Sequence, residues 1–511
     1  MRGIRLPWLC LALALGACKV GPDYVQPEVD LNDDWHAAVE AEMSQDEPDI
    51  ERWWESLEDS TLTELIRRAE LANLDLRIGV ARVAEARALR GIAQGDLYPN
   101  LVLDGAYSYT QISENSPLGQ TIVGSGGEVE PAESWETRAS SFWEIDLFGR
   151  IRRRSEAATA QFEATIEDYR DVLVSLYAEV ALNYVDVRSL QARLGFARQN
   201  AQGQRESLEL TRDRFESGLT SALDVAQAEQ NLAQTESTIP TLESGLNAAL
   251  NRLAVLLGSQ PGALHDRLMT DGGVVPDVPP DVLSGVPADI LRRRPDVRRA
   301  ERQLAAQTAL IGVATADLYP TVSITGFVEA VAGTFSGMFE GGSIGWGIVP
   351  GFRWDLFQGG KIRNNIRAEE ARTDQALYAY QLTILVALQE VENALVNYDR
   401  ELLRRDRLQE AVDASQRAVD LVRTQYISGL TNFQNLLDTQ RSLFQQQDLL
   451  ATSEGQVVQT LIVLNRALGG GWSFEPEAPD RMSGSQNTTG TESDPETRSP
   501  SQGNDNEGLE R

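Results

Sequence analysis

The chain says nearly the same thing twice, and this repetition constrains its fold more than any other feature. Asp96-Leu97-Tyr98-Pro99 returns as Asp317-Leu318-Tyr319-Pro320, and Asp146-Leu147-Phe148 with Ile151-Arg152 returns as Asp355-Leu356-Phe357 with Ile362-Arg363. Ser217-Gly218-Leu219-Thr220 returns as Ser428-Gly429-Leu430-Thr431. From Ile151/Ile362 through Leu257-Gly258/Leu468-Gly469 the offset holds at 211 residues. One unit has been duplicated, with insertions confined to loops. A domain count from length alone, about three, would mislead.

Proline sets the element lengths. None occurs between Pro131 and Pro240, nor between Pro350 and Pro476. An interior proline costs a helix about 3 kcal/mol, so both gaps permit very long helices. Residues 151–216 are rich in Ala, Leu, Arg, Glu and Gln, all good helix formers, and at 1.5 Å per residue predict a helix about 100 Å long. Ser217-Gly218 is a glycine stop, after which a return helix runs to Leu257-Gly258; the second copy repeats this over 360–427, Ser428-Gly429 and 432–468. Each unit therefore contains a long antiparallel helical hairpin, 150–258 and 360–468. On the return helices Leu223, Ala226, Glu229/Gln230 and Ala233, and then Leu436, Leu437, Gln440, Leu443 and Phe444, form stripes broken by small and polar residues. That is not a strict leucine zipper; it suits helices around a wet lumen, with a solid bundle as the alternative.

Before each hairpin the period falls from 3.6 to 2. Leu101, Leu103, Gly105, Tyr107 and Tyr109 alternate with polar or small neighbours, as do Trp135, Thr137, Ala139, Trp143, Ile145 and Leu147. Val322, Ile324, Gly326 and Val328, then Ile344, Trp346, Ile348 and Phe352, repeat the pattern. Strands over about 99–113, 135–148, 319–333 and 342–356 with one apolar face and terminal aromatics match a transmembrane barrel wall, soluble hairpins being the alternative. Four strands cannot close a barrel, and lipid forbids open edges, so a spanning chain must oligomerise. The polar loops 112–134 and 333–343 suit the external face.

The ends read differently. Arg2 and Arg5, the apolar run Leu9–Leu15 and the box Leu15-Gly16-Ala17-Cys18 describe a signal peptide over 1–17, with Cys18 as the lipidated first residue of the mature chain. The alternative is an ordinary signal with an incidental cysteine. Lys19 in place of aspartate directs such a lipoprotein to the outer membrane. Segment 18–58 is predicted extended, with Trp53-Trp54 packing on the body. A helix over 61–95 opens at a Thr61/Glu64 capping box. A Pro/Gly-rich linker spans 259–286, and 475–511 is predicted disordered. The formal net charge of −30, made more negative by loss of Arg2 and Arg5, argues against nucleic acid as a partner. Two histidines and five methionines leave little material for a metal site or histidine catalysis, and no nucleotide loop or nucleophile elbow is present. No cofactor is expected, and no enzyme activity.

Cys18-Lys19-Val20-Gly21-Pro22-Asp23-Tyr24 with Pro27, the run Val286-Pro287 through Leu291, Arg293-Arg294-Pro295-Asp296-Val297, Ala300-Glu301 and Leu304, and the closing Leu468-Gly469-Gly470-Gly471-Trp472 resemble the TolC-like outer membrane factors, specifically the lipidated OprM/NodT-type branch that serves resistance-nodulation-division pumps. The resemblance covers Cys18 to about Phe474. It implies a homotrimer in the outer membrane of a Gram-negative bacterium: a fold mainly α with membrane β, four strands per copy forming a 12-stranded barrel continued by a 12-helix periplasmic tunnel. It also implies a passive exit duct for small molecules, energised by an inner membrane pump through a periplasmic adaptor protein. A type I protein secretion channel shares the fold. A lipid-anchored coiled-coil scaffold without a pore is the reading from another class.

Carried over residue by residue, Asp438 matches the family's constriction aspartate, with Asn435 on the same helical face. Tyr426 and Asp224 match a pair that tethers neighbouring coils shut. The turns Ser217, Gly218, Leu219, Thr220 and Ser428, Gly429, Leu430, Thr431 match the adaptor-docking tips. Asn435 and Thr431 depart from TolC, which has aspartate and arginine there. Arg152, Arg153 and Arg154, matched by Lys361 and Arg363 with Arg367, begin the long helices, where positive charge opposes the macrodipole. Inner-leaflet phosphates of outer membrane lipid or intramolecular pairing with Glu156 or Glu369 would compensate them.

Overall fold

The computed structural model describes residues 19–28, 35, 50–270, 274–278 and 292–472. The signal peptide, Cys18, parts of the 18–58 segment and of the 259–286 linker, the Val286–Leu291 motif and the 475–511 tail lie outside the described residues.

In chain order the first repeat is α1 (Ser60–Ala72), α2 (Leu74–Gly95), β1 (Asn100–Thr110), α3 (Pro117–Gly124), β2 (Ala132–Ile145), α4 (Arg150–Glu216) and α5 (Ala222–Leu256). A short α6 (His265–Thr270) follows. The second repeat is α7 (Pro295–Ala316), β3 (Thr321–Ala332), β4 (Ile344–Arg353), α8 (Lys361–Ile427) and α9 (Phe433–Ala467). Both long helices have 67 residues and both return helices 35. Helix α5 runs through Pro240, losing one backbone hydrogen bond but held by Leu242, Leu246 and Leu250, which are buried against α4.

One expectation is corrected: 61–95 is two helices, broken at Asn73. Asp59, not Thr61, caps the first, accepting from the Thr61 and Leu62 amides, while Glu64 pairs with Arg67 instead of closing a capping box. Asn73 ends α1 and starts α2. Its Oδ1 accepts from the Leu76 amide, and its Nδ2 donates to the Leu256 carbonyl at 2.9 Å. A partner 183 residues away makes the break worthwhile.

The strands form one antiparallel sheet in sequence order, β1-β2-β3-β4. Asp104 stands opposite Arg138, Arg138 opposite Glu329, and Glu329 opposite Gly345, so these share one face with Glu136, Ser140, Thr325 and Phe327. On that face Arg138 lies 3.8 Å from Glu329 and over the Phe327 ring. Leu101, Leu103, Tyr107, Trp135, Val328, Trp346 and Ile348 occupy the other. No helix among the described residues is long and apolar enough to cross a membrane.

The main core lies midway along the long helices. Trp53, Trp54, Leu62 and Leu65 pack against Tyr177, Val180, Tyr184 and Val185 of α4, and Leu461, Ile462 and Leu464 of α9 join them. The Arg-Arg-Pro-Asp motif is a clamp on this core. Pro295 occupies the first turn of α7, where its missing N–H costs nothing. Arg294, buried, donates to the Ala467 carbonyl, Asp296 and Glu390. Helix α7 packs against both α4 and α8, whereas α2 packs against α4.

Candidate functional site

The two hairpin tips are built alike. In each, the helix ends in a left-handed glycine, Gly218 at φ +72° and Gly429 at φ +73°, and the next amide reaches back: Leu219 to the Arg214 carbonyl and Leu430 to the Gln425 carbonyl, both at 2.8 Å. This is a Schellman stop. Ser221 then caps α5 and Asn432 caps α9.

At the third helical position stand Asp224 and, 211 residues on, Asn435. These two predicted gate residues are repeat counterparts with local partners. The Asp224 carboxylate accepts from the Thr220 hydroxyl and the Ser221 amide, while Asn435 donates to the Thr431 hydroxyl at 2.8 Å. Partial burial pushes the Asp224 carboxyl up, but the hydrogen bonds from Thr220 and Ser221 outweigh it and hold it below the ordinary carboxylate range. Asp438 is exposed one turn beyond Asn435 and accepts from Gln434 Nε2 at 3.0 Å.

Tyr426 sits elsewhere. It is 2 % exposed, packed with Leu208, Ala228, Phe433, Leu436 and Leu437. Its hydroxyl lies 3.4 Å from Thr211 Oγ1, and the Arg214 guanidinium covers its ring at 4.8 Å. Within the chain Tyr426 and Asp224 are not hydrogen-bonded to each other; Thr211 and Arg214 of α4 reach Tyr426 instead.

Of the two compensations expected for the basic cluster, lipid phosphates or an intramolecular carboxylate, the structure gives Arg153 the second, Glu156. Arg152 is paired with Asp146 and Arg154 with Asp96, so the positive charge at the start of α4 is compensated from within. Arg153, 1 % exposed, is turned inward; its guanidinium donates to the Val20 and Gly21 carbonyls at 3.0 Å and pairs with Asp23 and Glu156. Lys361 and Arg363 are exposed; Lys361 rims a cavity of about 590 Å³ with Glu144, Arg150, Asp317, Arg353 and Asp355.

Arg153 thus anchors a strap, residues 19–24, that the sequence did not reveal as a docked element. Lys19 pairs with Glu156 at 2.5 Å, the Val20 amide donates to the Phe148 carbonyl, and the Tyr24 hydroxyl donates to Glu301. Burial and the Glu301 charge raise the Tyr24 phenol well above its usual range. Gly21 is required where it stands: a Cβ there would lie 2.4 Å from the Gly312 Cα. The one available signal was a break in the repeat, Arg153 against Asn364.

Residues 65–259 and 286–470 match the outer membrane efflux protein family. The chain belongs to it. This outer membrane efflux protein is 30% identical over 474 residues to nodulation protein T of Rhizobium leguminosarum bv. trifolii, covering 93% of this chain and 98% of the relative. It is 32% identical over 469 residues to outer membrane protein OprJ of Pseudomonas aeruginosa, covering 91% and 95%. Its fold superimposes on the outer-membrane channel OprN with a TM-score of 0.81 at 34% identity, covering 89% of this chain and all of that one.

Proposed function

We propose that three copies of this chain close into one outer membrane channel, the passive exit duct of a tripartite efflux pump. One observation carries the reading: the sheet has two free edges, β1 and β4, and an apolar face on which Leu101, Leu103, Trp346 and Ile348 are 69–78 % exposed. In lipid such edges must pair, and three four-stranded sheets give 12 strands, enough to close around a lumen. The polar face carrying Asp104, Arg138 and Glu329 then lines that lumen.

The helices support the same count. Helix α7 wedges between α4 of the first repeat and α8 of its own. By repeat symmetry α2 should wedge between α4 and the α8 of the next copy, and α2 leaves Leu74, Ile78, Leu89 and Ile92 exposed for it. On this reading the two tips per copy dock a periplasmic adaptor protein, a resistance-nodulation-division pump in the inner membrane supplies the energy, and the chain itself conducts small molecules passively and catalyses nothing. Acyl chains on Cys18 enter the inner leaflet of the outer membrane beside the strap, with Lys361 and Arg363 facing its phosphates. Asp438, one per copy around the threefold axis, forms an acidic ring that favours cations, and the iris-like gate lies at this level.

The test is single-channel conductance of purified trimers in planar bilayers. A small, cation-selective conductance that loses its selectivity in Asp438→Ala is expected. Silent bilayers from folded trimers would overturn the duct and favour the pore-free scaffold.

A further inference from the structure

We propose that Arg214 is a positioning residue of the gate, a latch that binds the two hairpin tips of one chain into a single moving unit. The proposal rests on the channel reading above. Arg214 belongs to the last turn of α4. Its Nη1 donates to the Tyr426 carbonyl at 2.9 Å and to the Ile427 carbonyl at 3.3 Å, and its guanidinium stacks on the Tyr426 ring at 4.8 Å. Those carbonyls are the negative end of the α8 dipole, and α8 has no basic residue in its own last turn. The first repeat supplies the charge that the second lacks.

The duplication then makes a specific statement about the seams between copies. Subtracting or adding the 211-residue offset, the counterpart of Arg214 is Gln425 and that of Tyr426 is Phe215. Where Tyr426 is buried at 2 %, Phe215 is 46 % exposed, and Gln425 is exposed. A seam built from Gln425 and the next copy's Phe215 keeps a ring and helix-end carbonyls but lacks the cation that would cap them. Six tips therefore move as three latched pairs, and the ring parts at the three seams between copies. The latch is also releasable. Arg214 Nε is buried with no hydrogen-bond partner among the described residues, an uncompensated cost that works against the stack and the two carbonyl bonds.

The tyrosine hydroxyl is peripheral to this arrangement, since what holds Arg214 is a ring face and two main-chain carbonyls. That separates the latch from a tether made through the phenol. In planar bilayers Arg214→Ala trimers should conduct about tenfold more than wild type, the scale set by removing one charge-assisted hydrogen bond with its ring stack. Arg214→Lys should fall between, and Tyr426→Phe should change conductance less than Arg214→Ala does. Building a second latch at the seam with Gln425→Arg, which brings a cation to the Phe215 ring and its helix-end carbonyls, should lower conductance.

A second readout does not need a pore. Spin labels on Leu219→Cys and Leu430→Cys within one chain, diluted among unlabelled copies, should give a narrow distance distribution that broadens in Arg214→Ala. Arg214→Lys serves if the alanine variant does not assemble. Broadening supports the latch even if every bilayer is silent, in which case the channel reading alone has failed. An unchanged distribution in Arg214→Ala or Arg214→Lys trimers, or a larger conductance change in Tyr426→Phe, would overturn it.

Discussion

Helices α4 and α8 are repeat counterparts of 67 residues each, yet 24 side chains of α4 are buried against 9 of α8. The shorter pair behaves likewise, with 11 buried residues on α7 and 3 on α2. Sequence does not explain this by making α8 polar. Tyr378, Leu382 and Leu385 are 61–63 % exposed on it, an apolar stripe of the kind soluble surfaces avoid. What α4 has and α8 lacks, away from the tip, is helices of the other repeat packed along it. The difference teaches where a second copy belongs, and its chemistry. Inside the chain α7 meets α4 through ion pairs, Arg298 to Glu167 and Arg299 to Asp168 and Asp171. At the repeat-related junction Arg299 is replaced by Ile78 and Asp171 by Leu382. On the trimer reading the geometry wired with charge within a chain is made largely with hydrocarbon between chains, Arg77 alone keeping the charge of Arg298.

The strongest way to break the comparison is to charge the bare stripe. Leu382→Asp with Leu385→Asp should abolish the trimer, because an unpaired charge in a closed interface costs several kcal/mol; light scattering would then report one copy in place of three. A mass still at three would separate the exposed stripe from assembly. Next in size is the strap. Arg153→Ala should lower stability by about 1–3 kcal/mol, the scale for orphaned buried carbonyls and carboxylates, and expose residues 19–28 to protease. Its counterpart Asn364→Ala, exposed and outside any such network, should stay within about 0.5 kcal/mol. Equal losses would mean that the strap is not what distinguishes the two helix starts.

The smallest effect is one of pH. The Asp224 carboxyl is held below the ordinary carboxylate range, so its capping contribution is present above that range, near pH 4, and is lost as pH falls through the depressed folded value. Asn435 has no charge to lose. Amide protection factors should therefore fall on acidification in the first turn of α5 and not in that of α9; parallel behaviour would contradict the assigned caps.

The fold was legible because its determinants are local. Proline gaps delimit the long helices, period-2 runs mark the strands, and Gly218 and Gly429 mark the stops. The expectations that needed correction depended on partners far along the chain. The break at Asn73 answers to Leu256, and Arg153 answers to Val20 and Gly21, partners that no window of sequence contains. Around the tips the residue types were legible and the partnerships were not. The resemblance singles out Tyr426 with Asp224, but Arg214, which no motif marks, is what covers its ring.

The central claim is that the next copy's α2 covers α8 as α7 covers α4. Its most direct test is crosslinking of an Ile78→Cys, Leu382→Cys chain with a short bifunctional thiol reagent, Cys18 being the one other cysteine expected after signal cleavage. A closed ring predicts crosslinked products of two and three copies that stop at three, with each single-cysteine variant uncrosslinked. Absence of crosslinks in a folded preparation, or a ladder continuing past three, would contradict it.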